Sequence, residues 1–366
     1  MTPFRWTPEH VAAIGRAPVP SAPLITAAPR VIEGVDLWDH WPVLEEKGDL
    51  AEIAGGLLVV ALSAPVLPDP DARHAMARLR LLHRRGETWR DLGPLLPDGF
   101  SPGSREWAGS AVVDRERRRL TLYFTAAGAR GEAAVTFDQR LFETSAALDV
   151  AGDAVRLGDW TRPAEIVRPD GVTYETDMAG GGAVGTIKAF RDPYHLRQNG
   201  NDVVLFAASR AGAASAFNGL VGAAVRCGQG WSLLPPLVDA TGVNNELERP
   251  HGVRHAGLTY LFWSTQAKVF APGLDAPTGL YGLVAEGLDG PWRPLNGHGL
   301  VFANPAAAPA QAYSWQVLPD LSVWGFADMV GLAHPPRNSA EARAHFAGTP
   351  APVLRLRLDG DRAVLA

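Results

Sequence analysis

The chain has 366 residues, 46% of them hydrophobic and 20% charged, which is long enough for a large core and typical of a folded globular protein. A formal net charge of −5 gives no support to a nucleic-acid or anionic-membrane partner. The single cysteine, Cys227, excludes an intramolecular disulfide and a cysteine-based metal site, and its position after an apolar run predicts a buried thiol.

The first twenty residues carry Arg5, Glu9 and His10 and no apolar core segment, so they do not predict a signal peptide. No run in the chain reaches the roughly 18 apolar residues that a membrane-spanning helix needs. The sequence therefore leaves the location open between the cytoplasm and export without an evident signal peptide.

Residues 1–30 are rich in Pro and Ala, with one helical turn at 8–14, and are interpreted as an extension packed on or near the main domain. From residue 31 to 366, short apolar runs alternate with turn sequences, and the best helical pattern lies at 339–346. This pattern predicts one all-β domain, either a sandwich, a barrel or a propeller, and no fixed-period repeat selects among them. The predicted strands are 56–62, 78–84, 111–113, 119–124, 203–207, 222–226, 258–263, 280–285, 324–327 and 353–358.

The first stretch with a functional composition is Trp38-Asp39-His40-Trp41-Pro42. A carboxylate between large aromatic rings is poorly solvated and needs partners. An acid beside flat apolar rings is also typical of sugar sites, because sugar C–H faces stack on indoles. A surface turn with inward-folded tryptophans and a capping Asp39 fits the same residues.

Two later stretches place acids next to arginine. In Arg191-Asp192-Pro193 the proline predicts an extended Asp192 at a strand edge, although an ordinary Asp-Pro turn with an ion pair also fits. In Glu246-Leu247-Glu248-Arg249-Pro250 the alternation predicts both glutamates on one face of a strand. Two like charges this close raise one pKa, which suits a general acid, although a solvated strand face fits equally.

Taken in order, these stretches resemble glycoside hydrolase family 68, the levansucrases, inulosucrases and related bacterial β-fructofuranosidases. Each motif is weakly specific alone, but their order carries the resemblance over about residues 35–330, with a spacing similar to the Gram-negative branch. The matching segments are Trp38-Asp39-His40-Trp41-Pro42, Glu106-Trp107-Ala108-Gly109-Ser110, Arg191-Asp192-Pro193 and Glu246-Leu247-Glu248-Arg249-Pro250-His251.

The resemblance implies a single-domain five-bladed β-propeller with a funnel-shaped axial pocket, and a retaining enzyme that passes fructose from sucrose to water or a sugar acceptor. Matched residue by residue, it implies Asp39 as nucleophile, Asp192 as transition-state stabiliser and Glu248 as general acid/base. The substrate-binding residues that it implies are Trp38, Trp107, Arg191, Glu246, Arg249 and, at the pocket rim, Tyr313.

Two positions depart from the family pattern. Gln266 stands where the family carries a His or Arg that helps hold the non-fructosyl sugar, and a neutral amide there favours hydrolysis or short transfer products. Asn245 stands where many members carry an acid that, in the Gram-positive branch, helps bind a structural calcium. Since losing a carboxylate weakens such a site, we expect no metal, and the chemistry requires no cofactor.

Three alternatives remain open from the sequence. A polymer-forming levansucrase or inulosucrase would use the same acids. A propeller glycosidase for another furanoside, such as an arabinofuranosidase or a fructan hydrolase, matches the motifs less well. A non-catalytic carbohydrate-binding propeller would not need a general acid. The expected partners are sucrose and fructose or fructo-oligosaccharide acceptors, with no nucleic acid and no membrane.

Overall fold

Five sheets, antiparallel except for two short added strands, are arranged in a ring and form the body of the molecule. The computed structural model describes residues 2–16, 18–177 and 187–366. We number the sheets as blades I to V along the chain, and call the first main strand of each blade its inner strand. Inner strands of neighbouring blades contact one another around the axis. This arrangement is a five-bladed β-propeller and confirms the predicted fold class.

Each blade adds strands outward from its inner strand, and short extra strands pair at the edges. Blade I contains Val35–Pro42, Gly56–Pro65, Arg78–Arg85 and Thr88–Pro94, with the short strand Glu52–Ile53. Blade II contains Arg105–Asp114, Arg119–Ala127, Gln139–Ala151 and Ala154–Gly158, with the short strands Leu44–Glu45 and Ala164–Glu165. Blade III contains Phe190–Gln198, Asn201–Ser209, Gly219–Cys227 and Gly230–Asp239, with the short strand Phe4–Arg5. Blade IV contains Glu248–His255, Leu258–Thr265, Gly279–Ala285, Arg293–Pro294 and Leu300–Ala303. Blade V contains Ala312–Val317, Ser322–Met329, Phe346–Pro350, Leu354–Asp359 and Arg362–Leu365.

In the described ranges, helix is confined to short segments between strands. The α-helices of these ranges, Pro8–Ile14 and Ser339–His345, occupy the positions predicted from the sequence. None of the helices in the described ranges is long and apolar enough to cross a membrane. The 3-10 helices are Pro70–Ala75, Ala267–Val269 and Leu295–Gly297.

Every inner strand contains a β-bulge against the second strand of its blade. A bulge inserts one unpaired residue, bends the strand and redirects a side chain, and bulges are common beside active sites. The bulges of blades I, III, IV and V contain the polar residues Asp39, Asp192, Arg249 and Ser314, whereas that of blade II contains Ala108. The register shifts lie between Leu37 and His40, Trp107 and Gly109, Arg191 and Tyr194, Glu248 and His251, and Tyr313 and Gln316.

Two bulges place a residue that precedes proline in the left-handed region. The φ angle is 63° at Asp192 and 50° at Arg249, so the extended backbone predicted for Asp192 is wrong. Such a conformation costs of order 1–3 kcal/mol for a non-glycine residue and needs support from its surroundings. The Asp192 N–H donates to Thr125 Oγ1 (2.9 Å), and the Arg249 N–H donates to Asp192 Oδ2 (3.0 Å).

The N-terminal extension lies along the outside of blades III to V, and residues 1 and 17 of it are outside the described ranges. Phe4–Arg5 adds a parallel strand to Gly230–Asp239. The Trp6 indole is 1% exposed and packs edge-on against Trp263 of blade IV. The Ile25 N–H donates to the buried side chain of Gln311.

Cys227 is exposed, so the buried thiol expected from the sequence is wrong. It is the last residue of Gly219–Cys227, and Gly228, with φ 60°, turns the chain directly after it. The apolar residues that precede it pack in the middle of the blade, while the strand end reaches solvent.

A buried ion-pair group joins the first and last blades. The Asp36 carboxylate on the inner strand of blade I has no exposed surface and accepts from two nitrogens of Arg343 (2.6 and 3.2 Å). Arg30 lies 2.7 Å from the same carboxylate. Gly348 passes so close that a Cβ there would lie 2.6 Å from Asp36 Oδ1. The Asp36 carboxylate therefore links blade I to blade V, where the ring of blades closes.

Asp36→Asn is expected to lower the free energy of unfolding by about 3 kcal/mol, because it leaves two arginines without their buried counter-charge. Urea unfolding followed by fluorescence measures the change. The control is Asp149→Asn, whose ion pair with Arg118 is largely exposed and should contribute less than about 1 kcal/mol. Equal stability of the two variants would show that Asp36 does not close the ring.

Candidate active site

The structure brings the three predicted catalytic acids together at the bulges of three inner strands. Asp39 comes from blade I, Asp192 from blade III and Glu248 from blade IV. Asp192 is 6% exposed, whereas Asp39 and Glu248 are half-buried and can meet a ligand. The three carboxyl groups interact electrostatically with one another.

One guanidinium links the two glutamates that the sequence predicted to share a strand face. Arg191 Nη2 donates to Glu246 Oε2 (3.1 Å) and to Glu248 Oε1 (2.9 Å). Arg191 Nη1 donates to Gln139 Oε1 (3.2 Å), so the guanidinium is held from blade II as well. Glu246 lies just before the inner strand of blade IV, yet its carboxylate meets the same guanidinium as that of Glu248. The Arg191 side chain therefore fixes both carboxylates.

Tyr313 makes a direct hydrogen bond to the proposed acid/base. Its hydroxyl donates to Glu248 Oε2, opposite the oxygen that Arg191 holds. Burial, followed by the nearby Glu248 charge, raises the pKa of Tyr313, so the phenol keeps its proton. Tyr313 is 7% exposed and therefore lies deeper than the rim position expected from the sequence.

Asp39 is supported by an arginine from blade IV. Arg249 Nη1 donates to Ser314 Oγ (3.0 Å), and both Arg249 and Ser314 lower the pKa of Asp39 against the effect of burial. Arg249 Nη2 donates to the carbonyl of His40 (3.1 Å) and to Gln316 Oε1 (2.9 Å). This network fixes the nucleophile candidate and places a positive charge beside it.

Burial shifts the acids away from their ordinary titration range. It raises the pKa of Asp192 to about 7, against the opposing charge of Arg191, and Glu248 and Asp39 raise it further. Burial also raises the pKa of Asp39 and of Glu246. Burial disfavours the charged form of a carboxyl group, so Asp39, Asp192 and Glu246 keep their protons to a higher pH than isolated carboxyl groups do. The guanidiniums of Arg191 and Arg249 oppose part of this effect.

The raised pKa of Asp192 predicts a pH-dependent effect of Asp192→Asn on stability. Because the folded-state pKa of about 7 lies above the ordinary 3.8, the contribution of Asp192 to stability is complete below pH 4 and is lost as pH rises to about 7. The unfolding free energy of the variant, relative to the parent, should therefore rise by roughly 1–3 kcal/mol between pH 5 and pH 8. Denaturant titrations at both pH values measure this, and a pH-independent difference would contradict the shift.

The two tryptophans predicted to bind substrate, Trp38 and Trp107, differ in their exposure. Trp38 is only 3% exposed, with the Arg73 guanidinium 5.5 Å from its ring centroid, so its face is largely covered. Trp107 is half-buried on the inner strand of blade II. Its Nε1 is buried and has no hydrogen-bond partner in the described part of the chain. Trp107 therefore keeps part of its ring exposed, whereas Trp38 is covered by its neighbours Arg73 and His74.

Residues outside the inner strands border this site at the end of the propeller where the inner strands begin, which we call the upper end. Gln266 follows the second strand of blade IV there and is half-buried. Arg73, Lys268 and Asp328 lie near the acids and were not found from the sequence. They stand in segments without a motif, and only their proximity in the fold identifies them.

Asn245 contacts a lysine rather than presenting a free oxygen. Lys188 Nζ donates to Asn245 Oδ1 (3.3 Å), to Asn218 Oδ1 (2.8 Å) and to the carbonyl of Ala216 (2.7 Å). Within the described residues, no group of three or more His, Cys, Asp or Glu side chains is placed to bind a metal ion.

Comparison with known proteins gives consistent matches. The family model described as levansucrase/invertase matches residues 2–223 and 208–366. A levansucrase of Zymomonas mobilis is 32% identical, with 89% of this chain and 81% of that protein aligned, and one of Erwinia amylovora is 29% identical, with 99% and 94% aligned. The structure of an inulosucrase from Halalkalicoccus jeotgali bound to kestose superposes with a TM-score of 0.91 at 39% identity, covering 100% of this chain and 95% of the other.

Proposed function

The chain belongs to glycoside hydrolase family 68, and from that membership we propose that it cleaves sucrose with retention of configuration and passes the fructosyl unit to water or to short sugar acceptors. The observation that carries the proposal is the meeting of Asp39, Asp192 and Glu248 at the axis, tied together by Arg191 and Arg249. A binding module has no need of this set of acids.

In the first step, Glu248 gives a proton to the oxygen that links fructose to glucose, while Asp39 attacks the anomeric carbon of the fructosyl unit. The bond to the glucosyl oxygen breaks and a fructosyl–Asp39 ester forms. Arg249 and Ser314 both stabilise the ionised form of Asp39. An oxygen of that carboxylate makes the bond to the anomeric carbon.

Asp192 and Arg191 bind the fructosyl unit and stabilise the charge that develops on it. Asp192 Oδ2 already accepts the N–H of Arg249, so Oδ1 is available for fructose hydroxyls. A carboxylate close to an oxocarbenium-like carbon lowers the energy of the transition state, because the interaction is stronger there than in the ground state. Asp192 takes part without forming a covalent bond.

In the second step, Glu248 accepts a proton from water or from an acceptor hydroxyl, and the resulting oxygen nucleophile displaces Asp39. Arg191 and Tyr313 each hold one oxygen of Glu248, so the carboxyl keeps its orientation through both steps. The identity of the second nucleophile decides between hydrolysis and transfer.

Incubation with sucrose, with glucose and free fructose measured side by side and products sized, tests this function. Equal glucose and fructose indicate hydrolysis, and an excess of glucose indicates transfer. Release of neither sugar would contradict the proposal and favour a binding propeller or a different furanoside. We expect much free fructose together with at most short oligosaccharides.

The product size is expected to depend on Gln266. Transfer requires an acceptor that stays beside fructosyl–Asp39 long enough to compete with the large excess of water. Charge-assisted hydrogen bonds are roughly twice as strong as neutral ones, and the Gln266 amide is neutral. Gln266→His should therefore lengthen the products made from concentrated sucrose.

The matched control is Gln198→His, at the end of the blade III inner strand that is far from the acids. Chromatographic sizing of the products compares both variants with the parent enzyme. Abundant high-molecular-weight polymer from the parent, or identical product profiles for all three proteins, would contradict the role of Gln266.

A further inference from the structure

The side-chain ammonium group of Lys188 lies between three oxygen atoms of two other segments. Its Nζ donates to the carbonyl of Ala216 (2.7 Å), to Asn218 Oδ1 (2.8 Å) and to Asn245 Oδ1 (3.3 Å). Ala216 and Asn218 belong to the loop after the second strand of blade III, and Asn245 precedes the inner strand of blade IV. An ammonium group has three N–H donors, so none is left over for a ligand.

These three acceptors are neutral, yet the charge of Lys188 also interacts with nearby acids. Burial lowers the pKa of Lys188, and the charges of Glu175 and then Glu246 raise it. Hydrogen bonds from a charged donor are roughly twice as strong as neutral ones. Lys188 therefore joins the start of blade III to the segment before blade IV more firmly than a neutral side chain would.

A chain of hydrogen bonds leads from Lys188 to the proposed acid/base. The amide of Asn245 accepts from Lys188 through Oδ1 and donates through Nδ2 to Glu246 Oε1 (3.3 Å). Glu246 Oε2 accepts from Arg191 Nη2 (3.1 Å), and the same nitrogen donates to Glu248 Oε1 (2.9 Å). The Asn245 amide is thus oriented at both ends, and Glu246 connects it to the guanidinium of Arg191.

A second route reaches Arg191 through the backbone of Lys188. The Lys188 carbonyl accepts from Gln139 Nε2 (2.8 Å), and Gln139 Oε1 accepts from Arg191 Nη1 (3.2 Å). The Gln139 side chain that makes this link is buried, with 2% of the residue exposed. Asn245 Nδ2 also donates to the carbonyl of Ile187 (2.8 Å) and so fixes the backbone directly before Lys188. Both terminal nitrogens of the Arg191 guanidinium therefore depend on the position of Lys188.

We propose that Lys188 is a positioning residue for the acid/base Glu248. Its ammonium group fixes Asn245 and the backbone before blade III, and these contacts orient Arg191. Because all its donors are used inside the protein, Lys188 acts through its neighbours and not on the sugar. Without the ammonium group, Asn245 and Glu246 can move, and Glu248 loses part of its alignment with the glucosyl oxygen. This inference rests on the proposed cleavage of sucrose with Glu248 as the acid/base.

The expected effect is specific to substrates that need a proton. A positioned general acid contributes about 10²–10⁴-fold to a rate, and a misaligned one contributes less. The glucosyl oxygen of sucrose must be protonated as its bond breaks, whereas an acidic phenol leaves an aryl β-fructofuranoside without that proton. Loss of the Lys188 ammonium group should therefore slow the cleavage of sucrose much more than that of the aryl substrate.

The test is Lys188→Met, which keeps an unbranched side chain and removes its three donors. We expect kcat/KM to fall about tenfold more on sucrose than on the aryl β-fructofuranoside, since only sucrose depends on Glu248 in the first step. The ratio of the two kcat/KM values does not depend on the amount of folded protein, so partial unfolding cannot imitate this result. Lys47→Met, at an exposed position, is the matched control and should leave the ratio unchanged.

A double variant tests the route through Asn245. Asn245→Leu should shift the ratio in the same direction, and Lys188→Met combined with Asn245→Leu should lose less than the product of the single losses, because both residues act on Arg191. Equal losses on both substrates, an unchanged ratio, or fully multiplicative losses in the double variant would overturn the inference. Failure of the proposed function gives a different result, since the parent enzyme would then release no glucose from sucrose at all.

Discussion

Asp39→Asn is expected to lower kcat on sucrose by about 10⁴-fold or more, the largest effect of any single change in the chain. The amide has nearly the same shape as the carboxylate, and Asp39 is half-buried, so folding and substrate binding should persist. It cannot form the ester that divides the reaction into two easier steps. KM should therefore change far less than kcat.

Steady-state kinetics on sucrose measure this loss, with the melting temperature as a check on folding. Asp149→Asn, exposed on blade II, makes the same chemical change away from the axis and should leave kcat as it is. Retention of more than a tenth of parental kcat by Asp39→Asn would remove Asp39 from the nucleophile role.

Glu248→Gln is expected to lower kcat on sucrose by about 10²–10⁴-fold, since proton transfer to the glucosyl oxygen is lost. An aryl β-fructofuranoside with an acidic phenol does not need that proton, so its first step should survive. Breakdown of fructosyl–Asp39 still lacks a base, so phenol should appear as a rapid burst followed by slow turnover. Azide needs no base and should restore turnover.

The control for this pattern is Glu246→Gln. Glu246 and Glu248 accept from the same nitrogen of Arg191, so both variants disturb the same ion pairs. Only Glu248→Gln should show the burst and the rescue by azide. The same behaviour in Glu246→Gln, or its absence in Glu248→Gln, would show that Glu248 is not the acid/base.

Much of the fold could be predicted from local sequence, but not the strands that build the site. Each strand predicted from apolar runs lies in an observed strand, the last displaced by one residue. Only 111–113 belongs to an inner strand. The inner strands contain charged residues and, in two blades, a proline within the bulge, and such features argue against a central strand. The acids near the axis therefore lie on strands that local sequence patterns did not identify.

The candidate site was predictable where its residues stand in ordered motifs and not elsewhere. Asp39, Asp192 and Glu248 belong to such motifs, and the structure brings them together. Arg73 and Asp328 come from a loop and a strand end in different blades, and no local pattern connects them. The left-handed backbone conformation at Asp192 could not be predicted from the sequence either, because it depends on the bulge and on a hydrogen bond to Thr125 of another blade.

The central claim is that the fructosyl unit is carried on Asp39, and trapping that ester tests it most directly. Glu248→Gln is mixed with the aryl β-fructofuranoside, quenched in acid at the end of the phenol burst, digested and analysed by mass spectrometry. The peptide containing Asp39 is expected to gain the mass of one anhydrofructose unit, in an amount matching the burst, and fragmentation is expected to place that unit on the Asp39 side chain. A burst without any modified peptide, or with the sugar on another residue, would contradict it.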